Sequence, residues 1–145
     1  MSWVEDYFTA WARHAQASDP VNGLADRERM LSFMHSDIFY EDVPTAMTFK
    51  GHDGVVEMGR MARVMANEMR FVCISAQHSG DRFGFETETY GTNTGPVGDL
   101  PATNKPFKLR GVSIGKLAPD GKVIEHKDYW DLAFYLRQIG LTPNG

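Results

Sequence analysis

Two aspartates occupy positions where burial rather than water is expected. The segment Gly121-Lys-Val-Ile-Glu-His-Lys-Asp-Tyr-Trp-Asp-Leu132 reads as a strand entered through the turn Pro119-Asp120-Gly121. Period-two alternation puts Ile124, His126, Asp128 and Trp130 on one face, and Glu125, Lys127, Tyr129 and Asp131 on the other. A carboxylate and an imidazole thus share the apolar side, where an unpaired charge is costly. In a second strand-like segment, 37–42, Tyr40 and Asp42 share a face. If both carboxyl groups enter one apolar cavity, burial raises both pKa values and mutual repulsion splits them. One is then suited to act as base and the other, protonated, as acid. Such a pair fits proton abstraction beside a carbonyl, as in an aldol closure, or activation of water, with Tyr40 orienting Asp42 or stabilising an oxyanion. The structural alternatives stay open: Asp128 as a buried partner of Tyr40 or His126, Asp42 as a turn residue beside Pro44, and His126 as a satisfied pocket histidine.

The remainder of the chain bounds what these residues can do. Its 145 residues suit one domain, 1–145, with room for a core and a small cavity. A net charge of −4 without a Lys/Arg cluster lacks the electrostatic footprint of nucleic-acid binding. The one cysteine, Cys73, excludes an internal disulfide and is expected to pack in a strand. No apolar run reaches the ~18 residues of a membrane span, so no membrane partner is expected and the default location is cytoplasmic. No His/Asp/Glu spacing forms a metal site, and neither a nucleophile elbow nor a phosphate-binding glycine loop is present. The chemistry is therefore expected to need no metal and no cofactor.

Helical periodicity covers 2–17, with Ser2 and Glu5 in capping-box positions and Trp3, Tyr7, Phe8 and Trp11 as an inward stripe. After a break at 18–23, a second helix is expected over 25–35, with Leu24, Met30, Leu31, Phe33 and Met34 as apolar surface. The stretch 43–47 reads as a loop. A third helix, 53–68, aligns Val55, Met58, Met61, Ala62 and Met65, a stripe that packs a core or lines a cavity. Period two then governs 71–77, 82–93, 107–117 and the strand around Asp128. Phe83, Phe85, Thr87 and Thr89 share one face of the second of these, and Phe107, Leu109, Gly111 and Ser113 one face of the third. A short helical turn is expected over 132–140, and His14, His35, His52 and His78 are expected at surfaces or caps. Helices followed by strands give an α+β class: a curved antiparallel sheet, its concave side covered by three N-terminal helices, enclosing a pocket. Charges on the other side of the strands suggest a solvated face or one paired with a second subunit.

The motifs Phe39-Tyr-Glu-Asp-Val-Pro44, Gly51-His-Asp-Gly-Val55, Tyr90-Gly-Thr-Asn-Thr-Gly95, Leu100-Pro-Ala-Thr-Asn-Lys-Pro-Phe107 and 121–132, followed by Leu136-Arg-Gln-Ile-Gly140, resemble the SnoaL-like polyketide cyclases, members of the nuclear transport factor two-like superfamily of cone-shaped folds. The resemblance implies that Asp128 falls on the aspartate handling the substrate proton in aldol closure, and on a water-activating aspartate of limonene-epoxide hydrolases. It places Asp42 where the cyclases and epoxide hydrolases carry Asn and ketosteroid isomerases carry their general base, and Tyr40 on a water-positioning Tyr. Ser113 replaces a cyclase His and an oxyanion-stabilising Asp of the isomerases, and Thr87 and Thr89 replace the epoxide hydrolases' Arg-x-Asp pair.

The expected function is acid/base catalysis on an apolar, carbonyl-bearing small molecule, by aldol cyclisation or isomerisation. Epoxide hydrolysis and non-catalytic binding by a dimeric domain are the alternatives. Asp128, Asp42 and Tyr40 are the catalytic candidates; Ser113, His126, Trp130, Phe85, Thr87, Thr89 and Met58 are the substrate-contact candidates. A homodimer is the expected assembly.

Overall fold

A computed structural model describes residues 2–16 and 20–141. Three helices are interleaved with the first strands: α1 (Trp3–Gln16), α2 (Pro20–Ser32), β1 (Met34–Asp42), a 3-10 turn (Val43–Thr45), β2 (Met47–Lys50) and α3 (Gly51–Met65). Four more elements alternate with turns: β3 (Met69–Ser79), β4 (Arg82–Thr92), β5 (Pro106–Leu117) and β6 (Val123–Trp130), closed by α4 (Leu132–Gln138). The class is α+β, with a six-stranded curved open sheet in the order β2-β1-β6-β5-β4-β3. No helix among the described residues is long and apolar enough to cross a membrane.

Several boundaries differ from the sequence reading for local reasons. The second helix begins at Pro20, whose fixed φ suits a first helical position, and ends at Ser32. Phe33 and Met34 therefore leave the helix, and Met34 opens β1 as a buried strand residue. Leu24 stands 50% exposed rather than supplying core surface. The expected loop at 43–47 is a single 3-10 turn leading into β2, an edge strand too short to show alternation. Residues 18 and 19 of the expected break lie outside the described residues. Half of the expected capping box forms at Ser2, whose Oγ accepts from Glu5 N at 3.3 Å, while Glu5 Oε1 accepts from the Ser2 hydroxyl at 2.9 Å rather than from its backbone N–H.

The largest departure is topological. All neighbouring strands are antiparallel except β1 and β6, which run parallel in the middle of the sheet. Parallel strands cannot be joined by a tight turn, and this pairing joins Tyr40 to His126, 86 residues further along the chain. Its register sets Tyr40 against His126 and Asp42 against Asp128. Across β5, Ser113 lies opposite Asp128. A register shift between Val123 and Glu125 lets Val123 and His126 both reach the interior, with Ile124 only half-buried.

The core forms where α1 crosses the sheet. Tyr7, Phe8 and Trp11 pack edge-on or tilted against Phe83, Phe85 and Phe71 at 4.9–6.3 Å between rings. A second cluster joins Phe107 and Leu109 of β5 to Tyr135 and Ile139 around α4, whose N-cap Asp131 accepts from Phe134 N at 2.9 Å. Cys73 sits half-buried in β3 against the main core. The outer face is not uniformly charged: Val72, Val112, Ile114 and Tyr129 are exposed there beside Glu88, Lys108 and Arg110.

Gly115 shows how tightly the sheet and ring layer meet. A Cβ at this position would lie 2.3 Å from Glu125 O and 2.4 Å from Phe83 Cζ, and neither a paired strand nor a buried ring gives way easily. Gly115→Ala is expected to cost about 1–3 kcal/mol, as overpacking in a close-packed core does. Urea denaturation measures it, and a loss below about 0.5 kcal/mol would mean the Phe83 ring moves freely aside.

Candidate active site

The inner face of the sheet and the helices α1 and α3 enclose a cavity of about 440 Å3, within the range of small-molecule pockets. Its walls are mainly apolar, including Trp11, Met58, Met65, Phe71, Phe107 and Leu109. Both Asp42 and Asp128 line it. Neighbouring residues of a parallel pair project from the same side of a sheet, so the β1–β6 register alone brings the two carboxyl groups together.

Asp128 is held from three sides. Ser113 Oγ donates to its Oδ1 at 2.6 Å, His126 Nε2 to the same oxygen at 2.8 Å, and the Tyr40 hydroxyl to Oδ2. Behind these donors stands a second layer: Trp11 Nε1 donates to Tyr40 Oη at 2.9 Å, and Tyr7 Oη meets His126 Nδ1 at 2.7 Å. Tyr40 lies flat on the His126 ring, with centroids 4.3 Å apart. Both ring nitrogens of His126 are thus paired, Nδ1 with the Tyr7 hydroxyl and Nε2–H with the carboxylate. Burial and the nearby Asp128 charge push both phenols well above their ordinary range, so Tyr7 and Tyr40 remain donors.

The two carboxyl groups titrate in opposite directions. Burial pushes Asp128 up, but the His126 imidazole and the hydrogen bonds from His126, Ser113 and Tyr40 outweigh it, leaving the group below its ordinary value. Its side chain is still 16% exposed, and among the described residues Oδ2 accepts only from Tyr40, which leaves a lone pair on that oxygen. Asp42 is raised: burial dominates, with the Asp128 charge adding to it, against hydrogen bonds from Thr45 and Trp130 that lower it. Thr45 Oγ1 donates to Oδ2 at 2.5 Å and Trp130 Nε1 to Oδ1 at 2.7 Å, so each oxygen of Asp42 also keeps a lone pair.

The sequence candidates separate into two layers. Asp42, Asp128, Ser113, Trp130, Thr87, Thr89 and Met58 line the cavity. Tyr40 and His126 do not: both are fully buried behind Asp128, and Tyr40 donates to Asp128 rather than orienting Asp42 or reaching a ligand oxyanion. Phe85, expected to touch substrate, packs instead among Tyr7, Phe8 and Trp11, because α1 covers that part of β4. Sequence reasoning missed Tyr7, Trp11 and Thr45 as members of the site. Their signal was present, since a Tyr or Trp in a buried stripe needs a partner for its polar tip, but the partner's identity lies in tertiary pairing. His14, expected at a surface, is buried in the cavity wall.

A model of the SnoaL-like polyketide cyclase family matches residues 12–139. Solved structures share the fold at low identity. TsrD from Streptomyces laurentii superposes with a TM-score of 0.78 at 18% identity, covering 95% of each chain. A protein assigned as a SnoaL-like polyketide cyclase from Jannaschia sp. CCS1 gives 0.77 at 16% identity, covering 99% of this chain and 98% of the other. A protein of ketosteroid isomerase-like fold from Catenulispora acidiphila, in complex with trimethylamine, gives 0.76 at 18%, covering 97% and 96%. No curated protein matches the chain.

The opposite shifts have opposite consequences for stability. The depressed pKa of Asp128 contributes stability that is present above its unfolded value, about 3.9, and is lost as pH falls through the folded value. The raised pKa of Asp42 contributes stability only at low pH, lost as pH rises through its folded value. At pH 7, Asp128→Asn is therefore expected to destabilise the fold by about 1–3 kcal/mol, the cost of leaving buried donors mismatched, while Asp42→Asn is neutral or stabilising. Denaturant titrations of both variants at pH 7 test this, and a loss of stability in Asp42→Asn would contradict the assignment.

Proposed function

The chain belongs to the SnoaL-like polyketide cyclase family, and from that premise we propose that it is an acid/base enzyme catalysing intramolecular aldol closure of an apolar, carbonyl-bearing small molecule without a cofactor. The observation that carries this reading is the pair of cavity-lining carboxyl groups shifted in opposite directions. Environments that separate two such groups assign one as base and the other as acid. Asp128 is the base: its Oδ2 lone pair takes a proton from carbon. The resulting enolate carbon attacks a second carbonyl of the same molecule, a C–C bond forms, and the electron pair of the broken C=O π bond moves to oxygen. That oxygen takes the proton from Asp42, and return of a proton from Asp128 to Asp42 resets the pair.

The strength of the base narrows the substrate. Three donors hold Asp128 ionised, and each pKa unit by which they depress it adds about 1.4 kcal/mol to the cost of removing a proton from carbon. A base this weak suits a carbon acidified by two flanking carbonyls rather than by one. A chain of alternating carbonyls supplies such carbons, and the apolar walls and volume of the cavity suit its folding into a ring. Tyr40, His126, Tyr7 and Trp11 act as positioning residues, fixing the carboxylate so that little reorganisation accompanies proton transfer. The epoxide-hydrolase alternative is less well supported, because Thr87 and Thr89 line the cavity where that chemistry needs an Arg and an Asp.

Asp128→Asn is expected to slow aldol closure of an aryl β-diketone carrying a second ketone by about 10²–10⁴-fold, the usual worth of a positioned general base. Wild-type kcat should fall on the acid side as Asp128 takes a proton and on the alkaline side as Asp42 loses one. Asp42→Asn should flatten the alkaline limb alone. The alkaline limb of kcat should lie at higher pH than that of kcat/KM, because a bound apolar ligand dries Asp42 further. Near-wild-type turnover in Asp128→Asn, or no deuterium exchange at the diketone's central carbon, would leave a binding protein rather than an enzyme.

A further inference from the structure

The two walls of the cavity are built from different kinds of side chain. The helical wall carries Met58, Met61 and Met65 of α3, spaced so that they share one face of the helix. Met47 of β2, Met69 of β3 and the fully buried Met30 of α2 join them, so six of the chain's eight methionines border this one space. Among the described residues, Leu109 is the one leucine in the lining, and no isoleucine is present. Methionine is concentrated here by position, since the leucines and isoleucines of the chain lie almost entirely elsewhere.

The rings on the sheet side are pinned. Trp130 donates to Asp42 at 2.7 Å and meets Tyr135 edge-on at 5.8 Å. Phe107 meets the same tyrosine edge-on at 5.0 Å, and Phe71 meets Trp11 edge-on at 4.9 Å. A ring held between close-packed neighbours has two torsions and little room to use them. Methionine has three rotatable bonds, no branch and no polar group that must be paired, so it changes rotamer at low cost and fills irregular gaps. Met58, Met61 and Met65 are only half-buried, which leaves space for that motion. Isoleucine would fill nearly the same volume with a fixed shape.

We propose that the methionine wall makes the cavity tolerant of ligand shape: Met58, Met61 and Met65 repack around apolar carbonyl compounds of different outline, while the sheet wall with its carboxyl pair keeps one geometry. The inference rests on the proposed function only in placing such a ligand in this cavity. Selection then falls on the carbonyl that meets the rigid wall, and little of it falls on the outline of the apolar body. A ring closure changes that outline while the ligand is bound, and a wall that yields follows the change without disturbing Asp128 or Asp42.

The test compares 1-acetonaphthone with 2-acetonaphthone, isomers of equal composition that differ in outline, by equilibrium dialysis. The wild-type protein is expected to bind both with Kd values within about threefold of each other. Met58→Ile combined with Met61→Ile, which keeps side-chain volume and stiffens it, should spread the two values to about tenfold or more. Met61→Leu combined with Met65→Leu should spread them beyond about fivefold, and covers the case in which the isoleucine pair does not fold. A wild-type protein that binds neither isomer, or that already separates them about tenfold, would overturn the inference. So would an unchanged ratio in the folded variants, whether both isomers still bind or both are lost equally. Asp128→Asn keeps this idea apart from the catalytic one. Near-wild-type turnover in that variant sinks the acid/base reading alone, and a ratio that ignores the methionine changes sinks the shape tolerance alone.

Discussion

The parallel pairing of β1 with β6 is the constraint on which the rest of the site depends. It is the one parallel contact in the sheet, and its register places Asp42 beside Asp128 and Tyr40 beside His126. No local interaction brings these segments together. A slip of β1 by one residue against β6 would turn Asp42 away from the cavity and Tyr40 toward solvent, since side chains alternate strictly across a strand. The buried residues Ile38 and Tyr40 of β1 oppose such a slip, because each would exchange core packing for water. The hydrophobic core therefore holds the register that brings the two carboxyl groups together.

Once the register is fixed, the polar network follows from the cost of burying a charge. Asp128 faces an apolar interior, where an unpaired carboxylate would either unfold the site or take up a proton. Ser113, His126 and Tyr40 each remove part of that cost, and Tyr7 and Trp11 satisfy the far sides of His126 and Tyr40. Every added donor stabilises the anion and weakens it as a base, so the second layer sets both orientation and reactivity. Asp42, with one donor to each oxygen, sits in a looser setting and takes up a proton more readily. Two identical side chains become chemically distinct through the number of donors around them.

Much of this was legible in the sequence, and the illegible parts share a cause. Alternation around Asp128 assigned His126, Asp128 and Trp130 to one face, and the same rule joined Tyr40 to Asp42, because periodicity is a local property of the chain. The α+β order and the helical stripes of α1 and α3 were legible for the same reason. Alternation cannot say how deep a residue lies on its face. Tyr40, His126 and Phe85 share the inward side with Asp128 and Thr87, but α1 presses on them and leaves the cavity to their neighbours. The parallel pairing, the four-residue β2 and the partners of Tyr7 and Trp11 arise from contacts between distant segments. His14 was misread because a histidine in an amphipathic helix carries no mark of which neighbour it lacks.

The distribution of unsatisfied groups separates what the fold needs from what a ligand needs. Around Asp128 every donor and acceptor that faces the protein is paired, and spare hydrogen-bonding capacity remains only toward the cavity. At His14 the cost falls on the fold itself: the ring packs against Gly59 with both nitrogens buried and, among the described residues, without partners. The apolar lining of the cavity supplies affinity without direction, so on the proposed reading the orientation of a ligand falls to the carboxyl pair.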